Sequence, residues 1–256
     1  MLRLEALSTD ILIVSEHWMS KSRIQSCNIN SFKLANSFSR ENCSHHGGVA
    51  IYVKEHISYK VSSFAESVSV AKIIECCAIE LSDFNLIVLG LYRPPHVDCV
   101  NLNIFFETLD LILSHYSQVR NKSLIVLGDF NIHFEKDDDR SLKYLLDILN
   151  SYNMAYLIKQ PTRITSCLDN ILVSNDHINK CFTHVFEEYI SDHSGQLLRI
   201  NCEQHAPHTR TFTLKRIFSS VNINKFIKFL SGQTWERVYT SDDVNAAYNI
   251  FSTTLN

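Results

Sequence analysis

Five strand boundaries in this sequence carry residues that handle charge. Glu16 follows ILIVS, Tyr92 and Arg93 follow LIVLGL, and Asp129 and Asn131 follow LIVLG. Asp169 and Asn170 precede ILV, and Asp192 and His193 stand in ISDHSG just before QLLRI. One carboxylate at a strand end is ordinary, and Gly, Asp and Asn are common turn residues. Glu, Tyr-Arg, Asp-x-Asn, Asp-Asn and Asp-His together form a set with complementary chemistry. Stacked sheets bring the ends of opposed strands to one rim, so the set can converge in a cleft. Carboxylates there suit Mg²⁺, which takes hard oxygen ligands and keeps several waters. A phosphodiester attacked by water needs its developing charge met by a cation and by donors such as His, Asn and Tyr. The water needs a carboxylate base, and a donor histidine needs an acid to orient and charge it. Each role has a candidate here.

Hydrophobic period names the elements that must position these groups. DILIVSEHW (10–18), HGGVAIYVK (46–54), AKIIECCAIEL (71–81), FNLIVLGLYRPP (84–95) and SLIVLG (123–128) predict strands. Pro94 and Pro95 stop the fourth, because proline cannot continue a ladder. Gly47–Gly48 permits a sharp backbone entry into the second. LDNILVS (168–174), KCFTHVFEEYI (180–190) and QLLRIN (196–201) predict three more. Residues 101–117 and 141–152 carry apolar side chains at helical spacing, and Leu2, Leu4 and Leu7 suggest the end of a further amphipathic helix. Many strands with few interspersed helices do not fit a regular βαβ alternation; they fit two packed sheets with helices outside. Residues 203–213 have the composition of a linker, followed by two amphipathic helices, the second capped by Asp242 or Asp243.

The chain has 256 residues, 45% hydrophobic and 20% charged, which is an ordinary globular composition. No apolar run reaches the roughly 18–20 residues that span a bilayer, and the start does not resemble a signal peptide. Nucleus or cytoplasm, without membrane association, is the expectation. Eight cysteines contain no C-x-x-C pair, so neither a zinc ribbon nor a disulfide framework is suggested. Cys181 and His184 have the spacing of half a metal site without a second half. Residues 203–256 hold six Lys/Arg against four Asp/Glu (+2), and the first 202 hold 18 against 23 (−5). Such an acidic body does not hold nucleic acid by bulk positive charge; it can act on a phosphodiester when its carboxylates hold a cation.

In combination and order, GGVAIYV, YRPP, LGDFN, LDNILVS and SDHSGQ resemble the endonuclease–exonuclease–phosphatase superfamily. Within it they resemble the apurinic-type endonuclease domain of non-LTR (LINE-like) retrotransposons. The resemblance covers residues 1–202. Residues 203–256 are similar to the helical segment leading to the reverse transcriptase of such elements, a partner domain that the full-length element would carry and that this chain does not. The resemblance implies an α/β fold, a four-layer sandwich of two packed mixed sheets flanked by helices, with Mg²⁺ or Mn²⁺ as cofactor and DNA as substrate. It assigns metal binding to Glu16 and Asp192, and scissile-phosphate contacts to Tyr92 and His193. Asp129 becomes the base that activates water, Asn131 a stabiliser of the transition state, and Asp169 the carboxylate that orients His193. The product would be a nick with a 3′-hydroxyl that primes reverse transcription.

One departure bears on activity. The family opens with a strand carrying an Asn near the metal, whereas Met1 falls in the helix expected to follow it. The expectation is therefore a chain lacking a central strand, with an unpaired edge and impaired catalysis. Two alternatives stay open: a non-catalytic remnant that binds DNA or protein, and a phosphomonoesterase of the same superfamily. Among the remaining polar features, EKDDDR (135–140) fits an acidic loop before a helix, and His45–His46 a solvated turn. Arg163 is either a DNA-backbone contact or an idle surface residue, and Trp18 is assigned to packing.

Overall fold

The computed structural model describes residues 9–40, 46–95, 98–119, 122–187, 191–202 and 220–255. The helix suggested around Leu2–Leu7, the linker at 203–213 and His45 lie outside the described residues. In chain order the strands and helices are β1 (Ile11–Ser15), α1 (Lys21–Gln25), β2 (Phe32–Phe38), β3 (Val49–Lys54), β4 (Lys60–Ser62) and α2 (Phe64–Val68). Then come β5 (Glu75–Leu81), β6 (Leu86–Tyr92), α3 (Cys99–Ser117), β7 (Ser123–Asp129), α4 (Arg140–Ser151) and β8 (Met154–Tyr156). They are followed by β9 (Asp169–Ser174), β10 (Cys181–Phe186), β11 (Gly195–Ile200), α5 (Ser220–Ser231), α6 (Glu236–Tyr239) and α7 (Val244–Leu255).

Six strands form one mixed sheet in the order β4-β5-β6-β7-β9-β8. Only β6 and β7 run parallel in it, and α3 supplies the crossover that a parallel pair requires. The central runs are buried on both faces, which explains their unbroken apolar sequences: Leu89, Leu91, Val126 and Leu172 are fully enclosed. The facing layer consists of an antiparallel sheet, β1-β3-β2, and the β10–β11 hairpin. Alternation along β3 serves two cores. Val49, Ile51 and Val53 face the six-stranded sheet, whereas Ala50 and Tyr52 join Ile24 of α1 and Phe32 on the other side. Val49, Ile51 and Ile13 close over Gly90 of β6. Helices α2, α3 and α4 flank the six-stranded sheet. The fold is thus the expected α/β sandwich, with its second layer in two pieces.

Among the described residues, β1 and β11 each pair on one side only. Strand β2 was not anticipated. FKLANSF has polar residues on both faces, and its pairing with β3 shifts at Leu34/Asn36, so it lacks a clean two-residue period. Asp139 caps α4 by accepting from Ser141 N (2.7 Å) and Leu142 N (3.1 Å), which accounts for part of the acidic run. Cys181 packs against the core; three residues on, His184 points to the opposite side of the strand, so the two do not form half a metal site.

The contacts divide the chain into a unit ending at Pro207 and a second from His208 to Asn256. In the second, helices α5, α6 and α7 surround a cavity of about 440 Å³ lined by Leu230, Trp235, Val238, Tyr239 and Phe251. Among the described residues no helix is long and apolar enough to cross a membrane.

Candidate active site

The six-stranded sheet assembles the site by register. Glu75 of β5 pairs with Tyr92 of β6, Tyr92 with Asp129 of β7, and Asp129 with Asp169 of β9. Residues paired across neighbouring strands project to the same face, so four polar side chains line up across one end of the sheet. Asp129, Asp169 and Tyr92 are 4%, 6% and 2% exposed. Gly128, just before Asp129, is sterically required, since a Cβ there would lie 1.8 Å from the Leu91 carbonyl oxygen.

Beyond β7 the chain turns sharply, and Arg93 holds the turn. Its backbone N–H donates to Asp129 O (2.8 Å), its Nε to Phe130 O (2.6 Å) and its Nη2 to Asn131 O (2.7 Å). Asn131, at φ 48°, donates from its backbone to Asp129 Oδ1 (2.9 Å) and from Nδ2 to Asp129 Oδ2 (3.0 Å) and Arg93 O (2.6 Å). The backbone N–H and one side-chain amide hydrogen of Asn131 thus fix the two oxygens of the Asp129 carboxylate, and the other amide hydrogen ties Asn131 to Arg93. Burial, the neighbouring Asp169 and Glu16 push Asp129 up to about 7 against the pull of His193 and the Asn131 N–H.

Asp169 Oδ2 meets His193 Nδ1 at 2.8 Å. That hydrogen bond raises the His193 pKa above its ordinary value, more than burial lowers it. Thr162, which sequence reasoning missed, sets this pair: its Oγ1 accepts from Leu168 N (3.0 Å) and Asp169 N (3.1 Å), and its carbonyl accepts from Ser194 N (2.7 Å). Ligand atoms of Asp129, Asp169 and His193 lie within 4.8 Å of one another.

Glu16 reaches the row from the facing layer. It accepts a hydrogen bond from the Tyr92 phenol, whose pKa is raised by burial and by this carboxylate. Glu16 (φ 59°) and Trp18 (φ 56°) both have left-handed backbones, so the strand end folds back, with Glu16 N on Gly48 O (2.7 Å) and Trp18 N on Gly47 O (3.0 Å). Gly47 and Gly48 have φ 81° and 92°, and a Cβ on either would strike the Arg40 guanidinium or the His17 ring at 2.4 Å. His17 accepts from Met19 N at Nδ1 (3.0 Å) and donates from Nε2 to Phe38 O (3.0 Å). Burial keeps this imidazole neutral by lowering its pKa. Trp18 is 52% exposed, with its ring edge-on to His46 at 4.9 Å, and so does not serve as core packing.

Asp192 lies apart from this row. It is an exposed carboxylate accepting from Arg163 Nε at 2.8 Å, and Arg163 holds its pKa below the ordinary range. Arg163 is thus neither idle nor free. Both line a cleft of about 350 Å³ beside His193. The donor set of the row, carboxylates that crowd one another in a buried space, fits a hard divalent cation: such an ion would relieve the mutual repulsion that raises Asp129.

The sequence profile of the endonuclease/exonuclease/phosphatase family matches residues 2–193. The endonuclease domain of TRAS1, a telomere-specific non-LTR retrotransposon, superposes with a TM-score of 0.60 at 16% identity, covering 77% of this chain and 89% of that one. The 3′-5′ exonuclease NExo from Neisseria meningitidis gives 0.57 at 14% identity, covering 78% and 94%. The human Nocturnin catalytic domain gives 0.53 at 16% identity, covering 78% and 83%. No curated protein sequence matches the chain significantly.

Proposed function

The chain belongs to the endonuclease/exonuclease/phosphatase family, and we propose that it is a metal-dependent endonuclease that nicks DNA, of the apurinic type found in non-LTR retrotransposons. The observation that carries this is the row Tyr92–Asp129–Asp169 with His193 on Asp169. Similarity to a retrotransposon endonuclease and to an exonuclease supports nucleic acid as substrate.

Glu16, beside Tyr92, and the Asp129–Asp169 carboxylates would hold Mg²⁺ or Mn²⁺, and Asp192, paired here with Arg163, would be a further ligand. When bound, the cation supplies charge to the scissile phosphate and to the leaving oxygen. Asp129 is the general base: its carboxylate, held by Asn131, takes the proton from the attacking water. Asn131 and Arg93 keep that carboxylate aimed. Asp169 holds His193 as an imidazolium, which donates to a phosphate oxygen as negative charge builds there. Tyr92, kept neutral by its raised pKa, would turn its one phenolic O–H from Glu16 to hydrogen-bond the same phosphate once Glu16 holds the cation. The domain would span residues 1–202, with 203–256 as the segment that leads to a reverse transcriptase.

Supercoiled plasmid is the test substrate. Nicking that needs Mg²⁺ or Mn²⁺, stops with chelator and falls by two or more orders of magnitude in H193A supports the assignment. Release of inorganic phosphate from a 3′-phosphorylated oligonucleotide, with the plasmid intact, would move the chain to the phosphomonoesterases. No turnover of either substrate would make it a remnant.

A further inference from the structure

Glu75 is the fourth member of the polar row and has no part in the chemistry above. It is fully buried at the start of β5, where an ionised carboxylate persists only with partners. Its Oε2 accepts from Gly48 N at 2.6 Å, and its Oε1 accepts from Lys72 N at 2.9 Å and from Arg40 Nε. These partners come from three separate parts of the chain: the di-glycine turn, the turn at Lys72 (φ 68°) and the loop after β2.

Two of them lead to the active site. The Gly47–Gly48 peptide donates its N–H to Glu75 and accepts from Trp18 N at the Gly47 carbonyl, and the next carbonyl, that of Gly48, accepts from Glu16 N. The left-handed backbones at Glu16 and Trp18 are conformations that side-chain-bearing residues seldom adopt unaided, and the buried Glu75 carboxylate holds the turn they pack against. The second arm is Arg40. Its guanidinium is 9% exposed, packs over Gly47 and lies close enough to Tyr92 to act on the phenol.

We propose that Glu75 is a positioning residue for the metal site: by pinning the Gly47–Gly48 turn and anchoring Arg40, it sets the Glu16 carboxylate against Tyr92. Glu75 touches neither substrate nor cation. This assignment rests on the proposed cation site at Glu16, so its test needs one readout that is independent of metal.

The chain has two tryptophans, Trp18 and Trp235, so W235F leaves Trp18 as the sole reporter of the turn. In that background the variants are E75Q, which turns one acceptor oxygen into a donor, and R40M/E75L. The second removes both buried charges together and avoids stranding either. I79A, a fully buried neighbour on the same strand, is the control for general loosening of β5. Trp18 emission anisotropy should fall in both Glu75 variants below the melting transition and hold in I79A. Mn²⁺ affinity, read by calorimetry without substrate, should weaken about tenfold or more in the Glu75 variants, as it does when outer-shell supports of ligands are removed, and stay within twofold in I79A. Unchanged anisotropy and Mn²⁺ affinity in a folded E75Q or R40M/E75L would overturn the assignment. Equal losses in I79A would reduce Glu75 to a structural residue. If the parent chain binds no Mn²⁺, the cation site is refuted and the Trp18 signal alone decides whether Glu75 holds the turn.

Discussion

Asp129→Asn should stabilise the metal-free protein at alkaline pH and not in acid. The carboxylate is nearly enclosed, faces Asp169 and Glu16, and is raised from 3.8 to about 7. A pKa higher in the folded than in the unfolded chain gives stability that is complete below about 3.8 and is lost as pH rises to about 7. At ~1.4 kcal/mol for each tenfold change in proton affinity, the charged form costs the fold as much as ~4 kcal/mol at pH 8. Asparagine removes that cost and forfeits one of two hydrogen bonds to Asn131, worth ~1 kcal/mol. The net gain at pH 8 is therefore ~2–3 kcal/mol, or roughly 5–10 °C in Tm for a domain of this size. Trp18 emission in W235F, melted from pH 4 to pH 8 in chelator, measures it. The difference between variant and parent should start slightly negative at pH 4 and grow through the window. Mg²⁺ at pH 8 should raise the parent's Tm more than the variant's. A pH-independent difference, or a variant less stable at pH 8, would refute the crowded-carboxylate account of Asp129.

Thr162→Val removes the acceptor for two buried N–H groups and should cost ~2–4 kcal/mol, read by denaturant unfolding, with Asp169 loosened from His193. Gly48→Ala adds strain at φ 92° and a clash with His17; it should cost more than ~1 kcal/mol and weaken Mn²⁺ binding alongside. His193 titrates above its ordinary value because of Asp169, so its stabilisation is complete below about 6.5 and is lost as pH rises through that higher value. In Asp169→Asn, NMR titration of the His193 ring should find a lower pKa and a flatter alkaline limb of stability.

The site was legible where its chemistry coincides with strand punctuation. Gly128, Asp129 and Asn131 interrupt an apolar run, and the pattern that marks a turn also marks the carboxylate row. Glu75 was not legible: in IIECCAIE an acid reads as the polar phase of a half-exposed strand, and only the pairing of β5 with β6 shows it beside Tyr92. Arg93 stood at the right boundary, but its bonds go to backbone carbonyls that sequence does not place. Asp192 was named from its neighbour His193; the residue that holds it, Arg163, lies 29 positions away. For Trp18 a packing assignment failed because residue type carries no trace of a left-handed backbone. Strand β2 was missed for its polar composition, while β6 and β7 were plain from theirs.

Because the polar row is fixed by strand pairing, activity in this protein is also a measure of register. Sliding β9 by one residue against β7 would turn Asp169 to the other face while leaving an apolar, well-hydrogen-bonded sheet behind. Such a species would be compact and rich in secondary structure, and catalytically silent. The pairings that make the row join residues far apart in the chain, Tyr92 to Asp129 to Asp169, which are slow to form. During refolding, recovery of His193 coupling to Asp169 should therefore lag behind recovery of far-UV ellipticity, with the lag reporting how long the chain spends correcting its pairing.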